Sequence, residues 1–136
     1  MENYFLENDL QMMYIEAASF PNGVEAAHKK LHALVAFDDK RRYFGYSRLE
    51  NGIITYKAGA EELNAGEGKI LGLNTLLIKK GKFASKFVVN FMADVSAIGS
   101  TFQELLKHPD LDPNGYCLEI YQNTNDVICL ARLKDQ

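Results

Sequence analysis

The chain contains the same order of strands and helix twice, and this repetition is the feature that most constrains its fold. Aromatic-rich segments and helical apolar spacing indicate strand, helix, strand and strand in the first copy, at 10–20, 23–37, 41–49 and 53–60. The second copy follows the same order at 83–91, 94–108, 116–121 and 127–133, with a further strand at 75–78 before it. A repeated supersecondary unit predicts two similar halves that bury their apolar faces together.

The apolar faces of the two predicted helices match when 71 is added to each residue number of the first. The two faces are Val24, Ala27, Leu31, Leu34 and Val35, and Val95, Ile98, Phe102, Leu105 and Leu106. The same offset relates Phe20 to Phe91, and an offset of 70 relates Gly45 to Gly115. We interpret these matches as a tandem duplication. The alternative is two unrelated helices of similar length.

These patterns predict an α+β fold in which a strand–helix–strand–strand unit is duplicated, with antiparallel sheets and two helices on the outer face. A length of 136 residues suits a single domain, which we place at 1–136. The first half then spans about 9–64 and the second about 74–134, with a Gly-rich junction at 65–73. Because junctions between such units often form small-molecule pockets, we expect a ligand cleft between the halves.

Composition and charge argue against several classes of function. The net charge of −3 and the short basic clusters lack the concentrated positive patch that nucleic-acid binding requires, so we expect no direct nucleic-acid contact. No apolar run approaches the ~18 residues of a membrane span, so we expect no membrane contact. The polar N-terminal segment 1–9 has no signal-peptide pattern, which predicts a cytoplasmic location. The oligomeric state stays open.

The cysteine and histidine positions give no metal or cofactor motif. Cys117 and Cys129 both lie in predicted strands outside any CxxC pair, and we expect two buried, reduced thiols. His28 and His32 are four residues apart on the first helix, but no third ligand is evident nearby. We therefore predict no bound metal and no cofactor.

Glu119 is our main candidate for a functional residue. It lies in a predicted strand between Leu118 and Ile120, which we expect to face the helix. Strand alternation then places Cys117, Glu119 and Tyr121 on the opposite face, toward the predicted cleft. A carboxylate there is either exposed on an open sheet or partly desolvated, and a desolvated one needs a hydrogen-bond donor or a cation.

Aromatic residues concentrate in several of the predicted strands. Tyr46 and Tyr56 lie in the first hairpin, and Phe87 and Phe91 follow Phe83 at four-residue spacing. Such faces more often form core than ligand pockets. Aromatic rings around one carboxylate would still suit a flat or cationic organic molecule. The candidate ligand-binding residues are therefore Glu119, Tyr121, Tyr46, Tyr56, Phe87 and Phe91.

Three short segments have an order and spacing that resemble a known family: GKFA at 81–84, the helical stretch 98–106, and LEIYQN at 118–123. They resemble the GKYA strand start, the second helix and the FE-x-Y-x-N strand of the GyrI-like small-molecule-binding domain. This domain is also the effector-binding domain of AraC-type and MerR-type transcription regulators. The resemblance implies a pseudo-symmetric cleft and a buried glutamate, here Glu119, that meets cationic or polar ligands. It also leads us to expect a stand-alone member without a DNA-binding domain.

The predicted function is binding of a small hydrophobic organic molecule, cationic or neutral, by a stand-alone effector-binding or sequestering protein. Two alternatives stay open. One is a hydrolase of small reactive compounds, in which Glu119 acts as a general base and a tyrosine positions the substrate. The other is a protein-interaction or inhibitor module. Because no second catalytic group is identifiable in the sequence, binding ranks before catalysis.

Overall fold

The computed structural model describes residues 2–94 and 96–135, which form an eight-stranded antiparallel sheet and three α-helices. The strands are β1 (Glu2–Leu6), β2 (Leu10–Glu16), β3 (Tyr43–Glu50), β4 (Ile53–Glu61), β5 (Asn74–Ile78), β6 (Gly81–Val88), β7 (Cys117–Tyr121) and β8 (Val127–Arg132). The helices are α1 (Val24–Leu34), α2 (Glu67–Ile70) and α3 (Ser96–Leu105). Within these described ranges, each helix is too short or too polar to cross a membrane.

The sheet joins the two copies of the repeated unit through its central strands. Its order is β1-β6-β8-β7-β3-β4-β2-β5, so β3 of the first copy pairs with β7 of the second. The two edge strands are exchanged, because β1 pairs with β6 and β5 pairs with β2. β1 precedes the first copy in the chain and completes the sheet of the second copy. β5 precedes the second copy and completes the sheet of the first.

Three local elements differ from the sequence-based expectation. β1 forms in the polar N-terminal segment, and α2 forms inside the Gly-rich stretch 65–73. The strand expected to reach residue 91 ends at Val88, because Asn90 adopts a left-handed backbone with φ 51° and a 3-10 turn covers Phe91–Ala93. Val95, expected on the second helix face, lies outside the described residues.

Strand register confirms the tandem duplication. The pair Met12 and Glu61 joins β2 to β4, and the residues 71 positions later, Phe83 and Arg132, join β6 to β8. The outer strands of the two halves therefore keep the offset expected from the sequence.

The central strands have a different offset, which corrects one of the sequence matches. Gly45 pairs with Ala58, and the counterpart of Ala58, Cys129, pairs with Glu119. Gly45 therefore corresponds to Glu119, 74 residues later, and not to Gly115. The second half therefore has three more residues than the first between its outer strand and its central strand.

Burial along the helices follows the same offset of 74. Ala27 and Leu31 are buried in α1, and their counterparts Thr101 and Leu105 are buried in α3. Two leucines expected on the apolar faces are instead 43% and 50% exposed, namely Leu34 and Leu106. The 71-residue match placed the helices almost one turn out of register. That error is hard to detect from apolar spacing, because residues three apart lie on the same helix face.

One face of the sheet forms a core whose buried members, among the described residues, all lie in strands. Its buried residues are Leu6, Leu10, Met12, Phe44, Tyr46, Ile78, Phe83, Leu118, Ile120 and Leu130. Phe44 and Phe83 are at most 1% exposed, so the strands themselves must curl over this face. The sheet is therefore a half-barrel with this cluster on the inside.

The helices pack on the outer face, as expected, but Leu118 and Ile120 do not face them. Both residues belong to the inner cluster. Alternation then places Cys117, Glu119 and Tyr121 on the helix side. The assignment of faces from the sequence was wrong because it assumed one buried face, whereas the half-barrel buries both.

Candidate ligand-binding site

Glu119 lies between α1 and α3, where the central strands β3 and β7 meet. α1 packs against β2 and β4, and α3 against β6 and β8, so β3 and β7 form the floor of a groove between the helices. Glu119 faces this groove and pairs across the ladder with Gly45. A Cβ at Gly45 would collide with the Glu119 carboxylate and the Tyr56 hydroxyl. The glycine therefore makes room for both groups.

Two tyrosine hydroxyls hold one oxygen of the Glu119 carboxylate. Tyr56 Oη donates to Oε1 at 2.9 Å, and Tyr121 Oη donates to the same oxygen at 2.8 Å. Within residues 2–94 and 96–135, Glu119 Oε2 accepts no hydrogen bond and is not a fully buried atom. The described residues thus fix one carboxylate oxygen and provide no hydrogen-bond partner for the other.

His28 extends this hydrogen-bond chain from α1. Its Nε2 lies 2.8 Å from Tyr56 Oη. Because Tyr56 donates its single hydroxyl proton to Glu119, we assign the imidazole proton to Nε2, which donates to Tyr56. Burial, with a smaller contribution from the charge of His32, lowers the pKa of His28 to about 4. His28 is therefore neutral near pH 7 and adds no positive charge beside Glu119.

The groups around Glu119 share its desolvated environment. Burial raises the pKa of Glu119, while the hydrogen bonds from Tyr121 and Tyr56 act in the opposite direction. Burial and the charge of Glu119 also raise the pKa of Cys117 to about 11. Across the described part of the chain, Glu119 forms no ion pair. The site is therefore a carboxylate among neutral neighbours.

Aromatic rings stand on both sides of the carboxylate. Phe20, in the loop before α1, stacks on Tyr56 with ring centroids 5.9 Å apart. Phe91, in the 3-10 turn before α3, packs against Tyr121 at 6.0 Å. The rings of His28 and Tyr121 form a T-shaped pair with centroids 5.5 Å apart. The site thus combines one carboxylate with aromatic walls from both halves.

The structure brings together four of the six candidate residues and separates two from them. The four at the groove are Glu119, Tyr121, Tyr56 and Phe91. Tyr46 points to the inner face, where it is buried and stacks on Tyr116 at 4.9 Å. Phe87 shares a strand face with the inner-core residue Phe83 and is half-exposed. Strand alternation therefore puts both residues on the side of the sheet opposite Glu119.

Three residues of the site were not among the sequence candidates. His28, Phe20 and Gly45 become neighbours of Glu119 only when the two halves meet. The available signals were a helix histidine and a glycine in an aromatic strand. Their role depends on the register of β3 against β7, which the sequence pattern alone does not specify.

The two helix histidines do not form a metal centre in the structure. The His28 and His32 rings stack with centroids 6.5 Å apart. Among residues 2–94 and 96–135, no group of three or more His, Cys, Asp or Glu side chains is arranged to hold a metal ion.

A recess of about 630 Å³ lies next to the site, on the first half. It is lined by the end of β2, the loop that leads to α1, and the start of β4, at Glu16–Phe20 and Gly52–Tyr56. Tyr56 is one of the lining residues, and its hydroxyl donates a hydrogen bond to Glu119. This volume is in the usual range of small-molecule pockets, about 300–1,000 Å³.

Solved structures with the same fold cover almost the whole chain. The integron cassette protein VCH_CASS2 from the mobile metagenome of Vibrio cholerae superposes with a TM-score of 0.74 and 11% identity, covering 98% of this chain and 95% of the other. SAV2435 bound to tetraphenylphosphonium gives a TM-score of 0.70 and 12% identity over 98% and 93%. A hydrolase from Listeria innocua gives 0.59 and 9% over 98% and 90%. At these identities the likeness shows a shared half-barrel fold.

Sequence comparison adds no relative to these structures. No protein-family model matches the chain, and no curated protein matches it.

Proposed function

We propose that the chain is a GyrI-like small-molecule-binding protein that captures hydrophobic organic cations in the groove between its halves. The observation that carries the proposal is the Glu119 carboxylate, which has one oxygen fixed by two hydroxyls and the other without a partner in the described structure. The cytoplasmic location and the absence of direct nucleic-acid contact stay predictions from the sequence.

The electrostatics of the groove favour a cation as the missing partner. A desolvated carboxylate without a counter-charge is unfavourable, and a bound cation compensates the lost hydration. The neighbouring groups that donate to Glu119 are neutral hydroxyls, so they leave its charge uncompensated. An anionic ligand would be repelled at the same point, which gives the groove a selectivity for charge sign.

The aromatic walls favour a cation whose surface is apolar. Phe20, Tyr56, Tyr121 and Phe91 present ring surface around the carboxylate. Rings attract a positive charge through their negative faces and bury apolar groups at the same time. The fold likeness to SAV2435, whose structure contains tetraphenylphosphonium, supports the same class of ligand.

Tetraphenylphosphonium and tetraphenylborate test this proposal, because they have similar shapes and opposite charges. Thermal unfolding of the wild-type chain should shift upward with the phosphonium and not with the borate. At 100 times the dissociation constant, a ligand adds about 2.7 kcal/mol of apparent stability. Glu119→Gln should remove the shift, because the amide carries no charge.

Glu25→Gln is the matched control for this experiment. Glu25 is exposed in the first turn of α1, where it pairs with Lys29. The substitution makes the same chemical change outside the groove and should leave the phosphonium shift intact. Equal shifts with phosphonium and borate, or an undiminished shift in Glu119→Gln, would contradict the assignment of Glu119.

Catalysis by Glu119 is the second candidate, and the raised pKa of this carboxylate is the observation that favours it. General-base catalysis is most efficient when the pKa of the base approaches the working pH. The fold likeness to a hydrolase from Listeria innocua is compatible with this role. Mass spectrometry of each bound compound after long incubation separates the two functions. Binding alone returns the compound unchanged, whereas hydrolysis gives products that Glu119→Gln does not form.

A further inference from the structure

We infer that the ligand is elongated, with a cationic head at Glu119 Oε2 and an apolar tail in the recess formed by Glu16–Phe20 and Gly52–Tyr56. This inference rests on the proposed function and specifies the class of its ligand. It assigns the recess of about 630 Å³, which the carboxylate itself does not line, to the same molecule.

Tyr56 connects the two parts of this site. Its hydroxyl donates to Glu119 Oε1, and Tyr56 is among the residues that line the recess. Phe20 lines the recess as well and stacks on the Tyr56 ring. The stacked residues Tyr56 and Phe20 therefore join the carboxylate to the lining of the recess.

The recess offers apolar side chains that the protein leaves uncovered. Ile54, which strand alternation places on the same face of β4 as Tyr56, is 45% exposed, and Ala17 and Ala18 are among the other lining residues. Leu49, which pairs with Ile54 across the hairpin, is exposed as well. Grouped exposed apolar residues beside a binding groove are typical of ligand contact surfaces.

The charges around the recess leave its interior suited to a neutral tail. Glu16 is the one carboxylate of the lining, and it is paired with Lys57 at 3.2 Å. Lys57 also lies 5.3 Å from the ring centroid of Tyr14, so its charge is already engaged. An anionic tail would meet no free cation among the described lining residues. The recess therefore suits an aliphatic or aromatic extension of the cationic head.

A series of N-alkylpyridinium salts from ethyl to octyl tests the inference by isothermal titration calorimetry. All members share one cationic head and differ in the length of an apolar chain. If the chain enters the recess, each additional methylene should tighten binding about fourfold until the recess is filled. Short chains keep the series below micelle formation.

Ile54→Ser identifies the recess as the place where the chain binds. It should reduce the gain per methylene while leaving the ethyl compound nearly unaffected. Ile70→Ser is the matched control, because Ile70 is 84% exposed and is not among the residues that line the recess. It should leave the whole series unchanged. Phe20→Ala removes a ring that belongs both to the aromatic walls of the carboxylate and to the lining of the recess, so it should weaken every member of the series and also reduce the gain per methylene.

The results separate failure of this inference from failure of the proposed function. If binding depends on Glu119 but does not tighten with chain length, the tail assignment is wrong, whereas the cation site at Glu119 still stands. The tail assignment is also overturned if neither Ile54→Ser nor Phe20→Ala reduces the gain in affinity per methylene. If no pyridinium binds and tetraphenylphosphonium gives no shift, the proposed function itself fails.

Discussion

The two halves of the chain share one fold but present different side chains to the groove between their helices. Gly45 in the first half occupies the position of Glu119 in the second. By the same register, Ser47 occupies the position of Tyr121. At these positions the first half therefore provides space, through Gly45, whereas the second half provides a carboxylate and a hydroxyl donor, through Glu119 and Tyr121.

The first half contributes its own groups at other positions. Tyr56 corresponds to Val127, since both pair with the equivalent residues Ser47 and Tyr121. His28 corresponds to Phe102 at the helix offset of 74. The hydrogen-bond chain from His28 through Tyr56 to Glu119 therefore crosses from one half to the other and has no symmetric copy.

The comparison shows that duplication provides the groove and divergence provides the site. Gly45 and Glu119 pair with each other, so these two equivalent positions are in direct contact. A glutamate at both would place two carboxylates side by side, and their repulsion would keep one of them protonated. Glycine at one position removes this conflict and leaves space for Tyr56 as well.

Alanine substitutions in the two helices test the equivalence of the halves and should have the largest effect on stability. Leu31→Ala and Leu105→Ala each remove a fully buried side chain at equivalent positions. Each should lower the free energy of unfolding by about 2–5 kcal/mol in urea denaturation. Leu34→Ala and Leu106→Ala change half-exposed positions and should cost below ~1 kcal/mol. A large loss at Leu106 with a small one at Leu105 would restore the 71-residue helix match.

Gly45→Ala tests the claim that the first half provides space, with a smaller expected cost. The new methyl group collides with the Tyr56 hydroxyl and the Glu119 carboxylate. Overpacking of this kind typically lowers the free energy of unfolding by about 1–3 kcal/mol. It should also weaken phosphonium binding, because Glu119 must move. Gly99→Ala is the control, since a Cβ at Gly99 in α3 meets open space and should stabilise the helix by about 0.5–1 kcal/mol. Unchanged stability and binding in Gly45→Ala would contradict the packing argument.

Local patterns in the sequence predicted the α+β class, the duplicated unit and part of the groove. Glu119 and Tyr121 could be named because strand alternation places them on one face whichever face is chosen. Tyr46 and Phe87 were named for their aromatic rings alone, and the structure puts them on the inner face. An aromatic ring can lie on either face of a strand, so its presence does not predict the face. The number of residues that separate it from Gly45 or Glu119 does, because alternate residues share a face.

Features that depend on long-range register were beyond local patterns. The exchange of β1 and β5 between the halves is set by pairing over distances that no sequence window covers. His28 was considered as a metal ligand, and its contact with Tyr56 appears only when α1 is packed on β4. The half-barrel, which buries both faces, is likewise a tertiary property, and it reversed the assignment of Leu118.

The smallest effect that we predict is the loss of folding stability that the buried Glu119 carboxylate causes at neutral pH. Because burial raises the pKa of Glu119 in the folded state, folding favours the protonated carboxyl. This contribution is fully present below the pKa of the unfolded chain, about 4.3, and is lost as pH rises through the folded pKa. The Glu119→Gln variant does not lose stability in this way, because its amide does not ionise as pH rises.

Urea denaturation of wild type and Glu119→Gln across pH 4 to 8 measures this contribution directly. The variant should be more stable at pH 7, and its advantage should shrink as pH falls toward 4. His28, with a folded pKa of about 4, titrates in both proteins and so affects the comparison little. The control Glu25→Gln makes the same substitution at an exposed position outside the groove and shows how much of the pH dependence is specific to Glu119. An advantage of Glu119→Gln that does not change with pH would mean that the carboxylate is not desolvated. A pH-dependent advantage, together with lost phosphonium binding, would mean that the second half retains a destabilising charge that the groove uses to bind its ligand.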